Sequence, residues 1–167
     1  ISLLVGPSGT GKSMLCTVIG TRFTQARLQI PVCVVTLHCG RIACPKTLYQ
    51  SILHSLGLTY LGDEGTLRLK LIDWLTDKAN EHDLVLLIDE AHRLGLSLLE
   101  ELRTLTNLGR FGRPVVRLLL AGAGVLEDRL TNPKLDSLNQ RTIARCYLEP
   151  LPRHETQRFI RHQVEIV

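Results

Sequence analysis

Short, mainly apolar runs alternate along this chain with longer stretches whose apolar positions recur at helical spacing. The runs Ile1 to Val5, Pro31 to Cys39, Leu84 to Ile88, Val115 to Leu120 and Ile143 to Leu148 predict five strands. The first and third, apolar mostly at consecutive rather than alternating positions, read as buried strands, and the second is a β-branched run. The helical stretches lie between them. One begins at Met14. A second starts at Pro45, carries Leu48, Ile52 and Leu56 on one face and stops at Gly57, using proline in a first turn and glycine past the end. Leu67, Leu71, Trp74, Leu75 and Ala79 form a third stripe, in which Trp74 reads as a packing residue. Leu98, Leu99, Leu102, Leu105 and Leu108 form a fourth. Leu126 to Leu138 reads as a helix broken near Asn132-Pro133, and a last helix opens at Arg153 with Phe159, Ile160 and Val164. Strands alternating with helices predict an α/β fold with a parallel sheet covered by helices. Glu149-Pro150-Leu151-Pro152 divides the chain into a core, 1–150, and the start of a second, helical unit, 151–167.

Composition narrows the class without naming it. The chain has 167 residues, 44% hydrophobic and 22% charged, which suits a folded domain rather than a disordered one. No apolar run reaches the length of a membrane span, and no signal peptide is visible. The chain opens on a strand without Met, so it reads as a segment of a longer protein, whose parent could be membrane-attached. Five scattered cysteines do not form a disulfide framework and fit a reducing, cytoplasmic setting. His38, Cys39 and Cys44 lack the paired spacing of a zinc site. The net charge of +4 permits nucleic acid but does not require it. Arg141, Arg145, Arg153, Arg158 and Arg161 cluster late, as a solvated helical face with a subunit contact or as a nucleic-acid surface.

Gly6, Pro7, Ser8, Gly9, Thr10, Gly11, Lys12 and Ser13 match G-x-x-x-x-G-K-[ST] in full, between a predicted strand and a predicted helix that begins at Met14. In that setting the glycines let backbone N–H groups converge on a phosphate, aided by the helix N-terminus. Lys12 would face the β- and γ-phosphates of ATP, and the Ser13 hydroxyl would bind Mg²⁺. The third strand ends in Asp89-Glu90-Ala91-His92. Asp89 at a strand tip suits the metal, and Glu90 suits activation of the attacking water. That carboxylate favours hydrolysis over phosphoryl transfer to a small substrate. His92 either couples Glu90 to a neighbour or packs.

These two motifs, with Leu98-Leu99-Glu100-Glu101-Leu102-Arg103-Thr104-Leu105-Thr106-Asn107-Leu108, Leu138-Asn139-Gln140-Arg141 and the run from Leu148 to Thr156, resemble the AAA+ ATPases of the ExeA (general secretion pathway A) type. That family shades into transposition helpers of the TniB type. The resemblance implies a three-layer P-loop NTPase: a five-stranded parallel sheet flanked by helices, the phosphate loop after the central strand, and a helical lid after the core. It implies a homo-oligomer, either a ring or a nucleotide-dependent assembly, with a DNA or secretion/envelope partner. It also places Arg141 where such ATPases carry an arginine finger that reaches a neighbour's γ-phosphate. One departure stands out. Relatives commonly carry Gly-Gln after the fourth strand as a polar sensor, whereas this chain reads Ala121-Gly122-Ala123-Gly124.

The reading is therefore an ATPase whose nucleotide state is coupled to a partner. The alternative is a nucleotide-dependent DNA-binding or assembly switch with negligible turnover. A DEAH-box helicase is a weaker competitor, since Asp89-Glu90-Ala91-His92 spells that box but the phosphate loop lacks the usual T-G-x-G-K-T form. A small-molecule kinase would need a substrate-binding insert, and none is recognisable.

Overall fold

Consecutive apolar residues build strands here because helices cover both sides of the sheet. The computed structural model describes residues 1–25 and 32–165. In chain order the elements are β1 (Ser2–Val5), α1 (Lys12–Gln25), β2 (Val32–His38), α2 (Pro45–Ser55), α3 (Glu64–Thr76), β3 (Asp83–Asp89), α4 (Leu96–Leu105), β4 (Gly109–Arg110), β5 (Arg113–Pro114), β6 (Val116–Gly122), α5 (Val125–Leu130), α6 (Asp136–Gln140), β7 (Ala144–Tyr147) and α7 (Arg153–Glu165). Three 3₁₀ turns complete the description: Cys39–Arg41, Ala91–Arg93 and Pro133–Leu135. Pro31, expected to open the second strand, lies outside the described residues.

The main sheet is five-stranded and parallel, in the order β2-β3-β6-β1-β7. Every position of β3 is buried. Alternate residues face opposite layers. Leu84, Leu86 and Ile88 join the large core beneath α2 to α6, with Leu3, Leu118 and Leu120. Leu4 and Ala121 face the other way, against Cys16 of α1. The result is three layers, as the sequence predicts. One implication is corrected: the strand that leads into the phosphate loop is interior but not central. β6 holds the middle, and β1 lies beside it with only β7 beyond.

The helix signals hold with small shifts. Pro45 opens α2, with Cys44 and Thr47 forming the cap. Asp63 caps α3 by accepting from the Thr66 N–H at 2.9 Å. Ala79 lies past the end of α3, while Trp74 packs partly buried against the core. The break at Asn132-Pro133 divides α5 from α6.

At the amino-terminal edge of the sheet, Asp83 is wholly buried and meets three guanidinium groups. Arg110 lies 3.2 Å away, Arg113 3.0 Å and Arg117 2.7 Å. Arg110 is itself buried and also donates to the carbonyls of Leu75 and His82. Phe111 and Gly112 join β4 to β5, both at positive φ (52° and 76°). This is the two-residue hairpin geometry that glycine and asparagine usually supply.

Candidate functional site

Because the strands are parallel, their carboxyl ends share one edge of the sheet, where ligands bind in such folds. The loop Gly6 to Gly11 leaves β1 at that edge and enters α1 at Lys12. Gly9 and Gly11 adopt φ of +81° and +88°, a region open to glycine at little cost. A Cβ at either position would meet nothing within 4 Å, so the space in front of the loop is open. At Gly6 the reverse holds: a Cβ would stand 2.5 Å from the Leu148 carbonyl oxygen, so the start of the loop packs tightly against the chain leaving β7. The Gly6 N–H donates to the Gly122 carbonyl at 3.2 Å, tying the loop to the tip of β6.

Lys12 is 6% exposed. Its Nζ donates to the carbonyls of Gly6 at 2.8 Å and Pro7 at 2.6 Å. The ammonium thus lies across its own loop. Ser13 and Met14 are exposed on the first turn of α1. An apolar cleft of about 620 Å³ flanks the loop between α1 and α7, lined by Met14, Leu15, Val18, Leu148, Leu151 and Phe159 among others.

Asp89 ends β3 and is 2% exposed. Its Oδ1 accepts from the Glu90 N–H at 2.9 Å, and its Oδ2 lies 3.3 Å from His38 Nδ1. Parallel register puts His38, the last residue of β2, directly beside Asp89. Burial, reinforced by the Asp89 charge, pushes the Cys16 thiol up to about 11. Burial with Asp89 and Glu90 pushes Cys39 up to about 12. Glu90 sits at φ 57°, ψ 31°, a left-handed conformation uncommon for this residue and the kind of strain found at functional turns. Its Oε2 lies 3.7 Å from His92 Nε2 and 3.6 Å from Arg93 Nε. The Ala91–Arg93 turn is clamped from α5, where Arg129 donates to the carbonyls of His92 and Leu94.

The fold therefore brings Gly6 to Met14, Asp89 and Glu90 to one edge. Arg141 is elsewhere. It caps α6, is exposed, and lines a cleft with Ser2, Val116 and Arg117 at the opposite, amino-terminal edge. Sequence reasoning missed His38 beside Asp89, and left His92 open. The first was legible only through strand register, the second only through the neighbouring strand tip. Among the described residues no group of three or more His, Cys, Asp or Glu side chains converges as a metal cage. The donors suit a cation that takes one or two protein ligands and fills its remaining positions with phosphate oxygens and water.

The sequence matches the AAA domain family model over residues 1–130. The chain is 30% identical over 173 aligned residues to General secretion pathway protein A of Aeromonas hydrophila, across 98% of this chain and 29% of that protein. It thus spans less than a third of that relative's length. Among solved structures, the ORC2 protein of Aeropyrum pernix in its ADPNP–ADP complexes superposes with a TM-score of 0.80, at 17% identity, over 98% of this chain and 45% of the other. The ORC1 protein of the same organism, in complex with DNA, gives 0.75 at 17% identity over 98% and 43%. These structures share the fold. The resemblance to the general secretion pathway A type and the expected three-layer P-loop architecture are both borne out.

Proposed function

The chain belongs to the AAA domain family, and from that premise we propose that it binds ATP with Mg²⁺ and hydrolyses it at an interface between copies of itself. One observation carries the reading. A phosphate loop with two positive-φ glycines and a buried lysine shares an edge with an Asp-Glu pair at the end of β3.

Lys12 would exchange its loop carbonyls for the β- and γ-phosphate oxygens, and the N–H groups at the start of α1 would add their dipole. The apolar cleft beside Met14 and Phe159 would take the base. Ser13 and Asp89 would hold Mg²⁺, which neutralises phosphate charge when bound. Glu90 would orient and deprotonate the attacking water. Arg141 lies beside the start of β1, at the other end of that strand from its own loop. Its guanidinium would therefore complete the site of a second copy, stabilising charge that develops on the transferred group. The likeness to General secretion pathway protein A and to the DNA-bound ORC1 fold supports coupling of this cycle to a secretion, envelope or DNA partner.

Substitution separates the two carboxylates. Glu90→Gln should keep ATP binding and lose turnover; Asp89→Asn should weaken Mg²⁺-dependent binding itself. Wild-type turnover in Glu90→Gln would place water activation elsewhere. The second reading, a switch with negligible turnover, is favoured by Ala123, whose side chain offers no hydrogen bond near the water. Turnover by the wild-type full-length protein, measured with and without DNA, decides between the two.

A further inference from the structure

The tip of β6 carries no polar side chain, since Ala121 and Gly122 lead into Ala123 and Gly124. Its hydrogen bonding comes instead from the turn after β3. The Ala123 N–H donates to His92 Nδ1 at 3.3 Å. Nδ1 can accept only when it bears no proton, so the ring proton of the neutral imidazole sits on Nε2. Nε2 in turn lies 3.7 Å from Glu90 Oε2. That is longer than a hydrogen bond, but contacts of this kind tighten when substrate is bound.

The ring is held where it is. A Cβ on Gly122 would stand 3.2 Å from the His92 backbone nitrogen and 3.3 Å from Nδ1, so a side chain there would push the turn and its ring by a few tenths of an ångström. Arg129 fixes the turn's carbonyls from the other side. A continuous path results. The phosphate loop binds β6 through Gly6 and Gly122, β6 binds His92 through Ala123, and His92 faces Glu90.

We propose that His92 is a positioning residue that couples the tip of β6, and through it the phosphate loop, to the Glu90 carboxylate. The polar group that β6 lacks is supplied from the adjacent turn. This rests on the reading of Glu90 as the residue that activates water.

The two ring nitrogens can be tested apart in the full-length protein. His92→Ala should lower kcat on the order of tenfold to a hundredfold while ATP affinity changes little. His92→Gln places an N–H donor near the Nε2 position and should recover most of the rate. His92→Asn reaches only the Nδ1 position, where its amide oxygen can accept from Ala123, and should not. Long-range ¹⁵N–¹H spectra of histidine-labelled protein should show the proton on Nε2, with a signal that moves in Glu90→Gln. A proton on Nδ1, or a His92→Ala variant with wild-type kcat, overturns the proposal. So does a Gln variant as slow as the Ala variant although it binds ATP normally. Full turnover by Glu90→Gln overturns the water-activation reading and the kinetic half of this one; the proton position stands or falls on the spectra alone.

Discussion

Replacing Lys12 by Ala separates the phosphate loop's two uses of one ammonium group. In the free protein, Nζ makes two charge-assisted hydrogen bonds, at 2.8 Å and 2.6 Å, to the loop's own carbonyls. With the side chain 6% exposed, few water molecules can replace them. Such bonds are worth about 1.5–3 kcal/mol each, less the cost of burying the charge, so the nucleotide-free protein should lose about 1–3 kcal/mol of stability. On binding, the ammonium trades carbonyls for phosphate oxygens that carry formal negative charge. Losing one such contact should weaken ATP binding by about tenfold to a hundredfold, or 1.4–2.8 kcal/mol. Calorimetry with ATP and with AMP makes the comparison, since AMP has no β- or γ-phosphate for Lys12 to meet. ATP affinity should collapse toward that of AMP, and AMP affinity should barely move. Equal weakening of both nucleotides would show general damage to the loop, and unchanged ATP affinity would refute the assignment of Lys12 to the phosphates.

Arg141→Ala should reduce turnover by about a hundredfold, the usual effect of losing one charge-stabilising donor, without weakening ATP binding. Mixing it with Glu90→Gln subunits should restore activity, because a mixed interface pairs an intact Glu90 with an intact Arg141; a mixture that co-assembles yet stays inactive rules out action in trans. Asp83→Ala should destabilise the fold by about 3–5 kcal/mol in denaturant titration, since it leaves the buried Arg110 guanidinium without its carboxylate; a loss below about 1 kcal/mol would mean that the three arginines find other partners. Thiol modification with peptide mapping should label Cys44 first, at a pH below that of an ordinary cysteine, because hydrogen bonds from the Thr47 backbone and side chain lower its pKa. Cys16 and Cys39, raised to about 11 and about 12, should stay protected in the native state, and their labelling at the rate of Cys44 would contradict the packing.

What could be read from the sequence was local. The phosphate loop is contiguous, so its eight residues and flanking strand and helix declare it together. β3 was legible because burial at every position leaves an apolar run from Leu84 to Ile88, whereas β7 is exposed along its length and was legible from its mainly apolar, β-compatible residues alone. The order of the strands was not, since nothing within β1 records that β6 and β7, far along the chain, close on either side of it. The β4–β5 hairpin was missed because its turn places Phe111, not asparagine or glycine, at positive φ. Arg110 looks like a surface residue until Asp83, 27 positions earlier, is placed beneath it. His92 stayed ambiguous for the same reason: its partners are a backbone N–H on one element and a carboxylate on another, and only the fold makes them neighbours.

The Asp83 cluster makes the two poles of the sheet mechanically unequal. To open the pole where Asp83 lies, the protein must strand a buried carboxylate and the Arg110 guanidinium, so excursions that leave that pole closed are the cheaper ones. The pole with the phosphate loop is joined by single hydrogen bonds to neutral groups, the Gly6 N–H to the Gly122 carbonyl and the Ala123 N–H to His92 Nδ1, beside the turn that Arg129 clamps. The two ends of the sheet are therefore held by different kinds of contact, buried ion pairs at one and hydrogen bonds to neutral groups at the other. Arg117 belongs to the ion-paired pole, and Arg141 lines the same cleft. A second copy resting on the Arg117–Arg141 cleft would meet the pole that costs more to open.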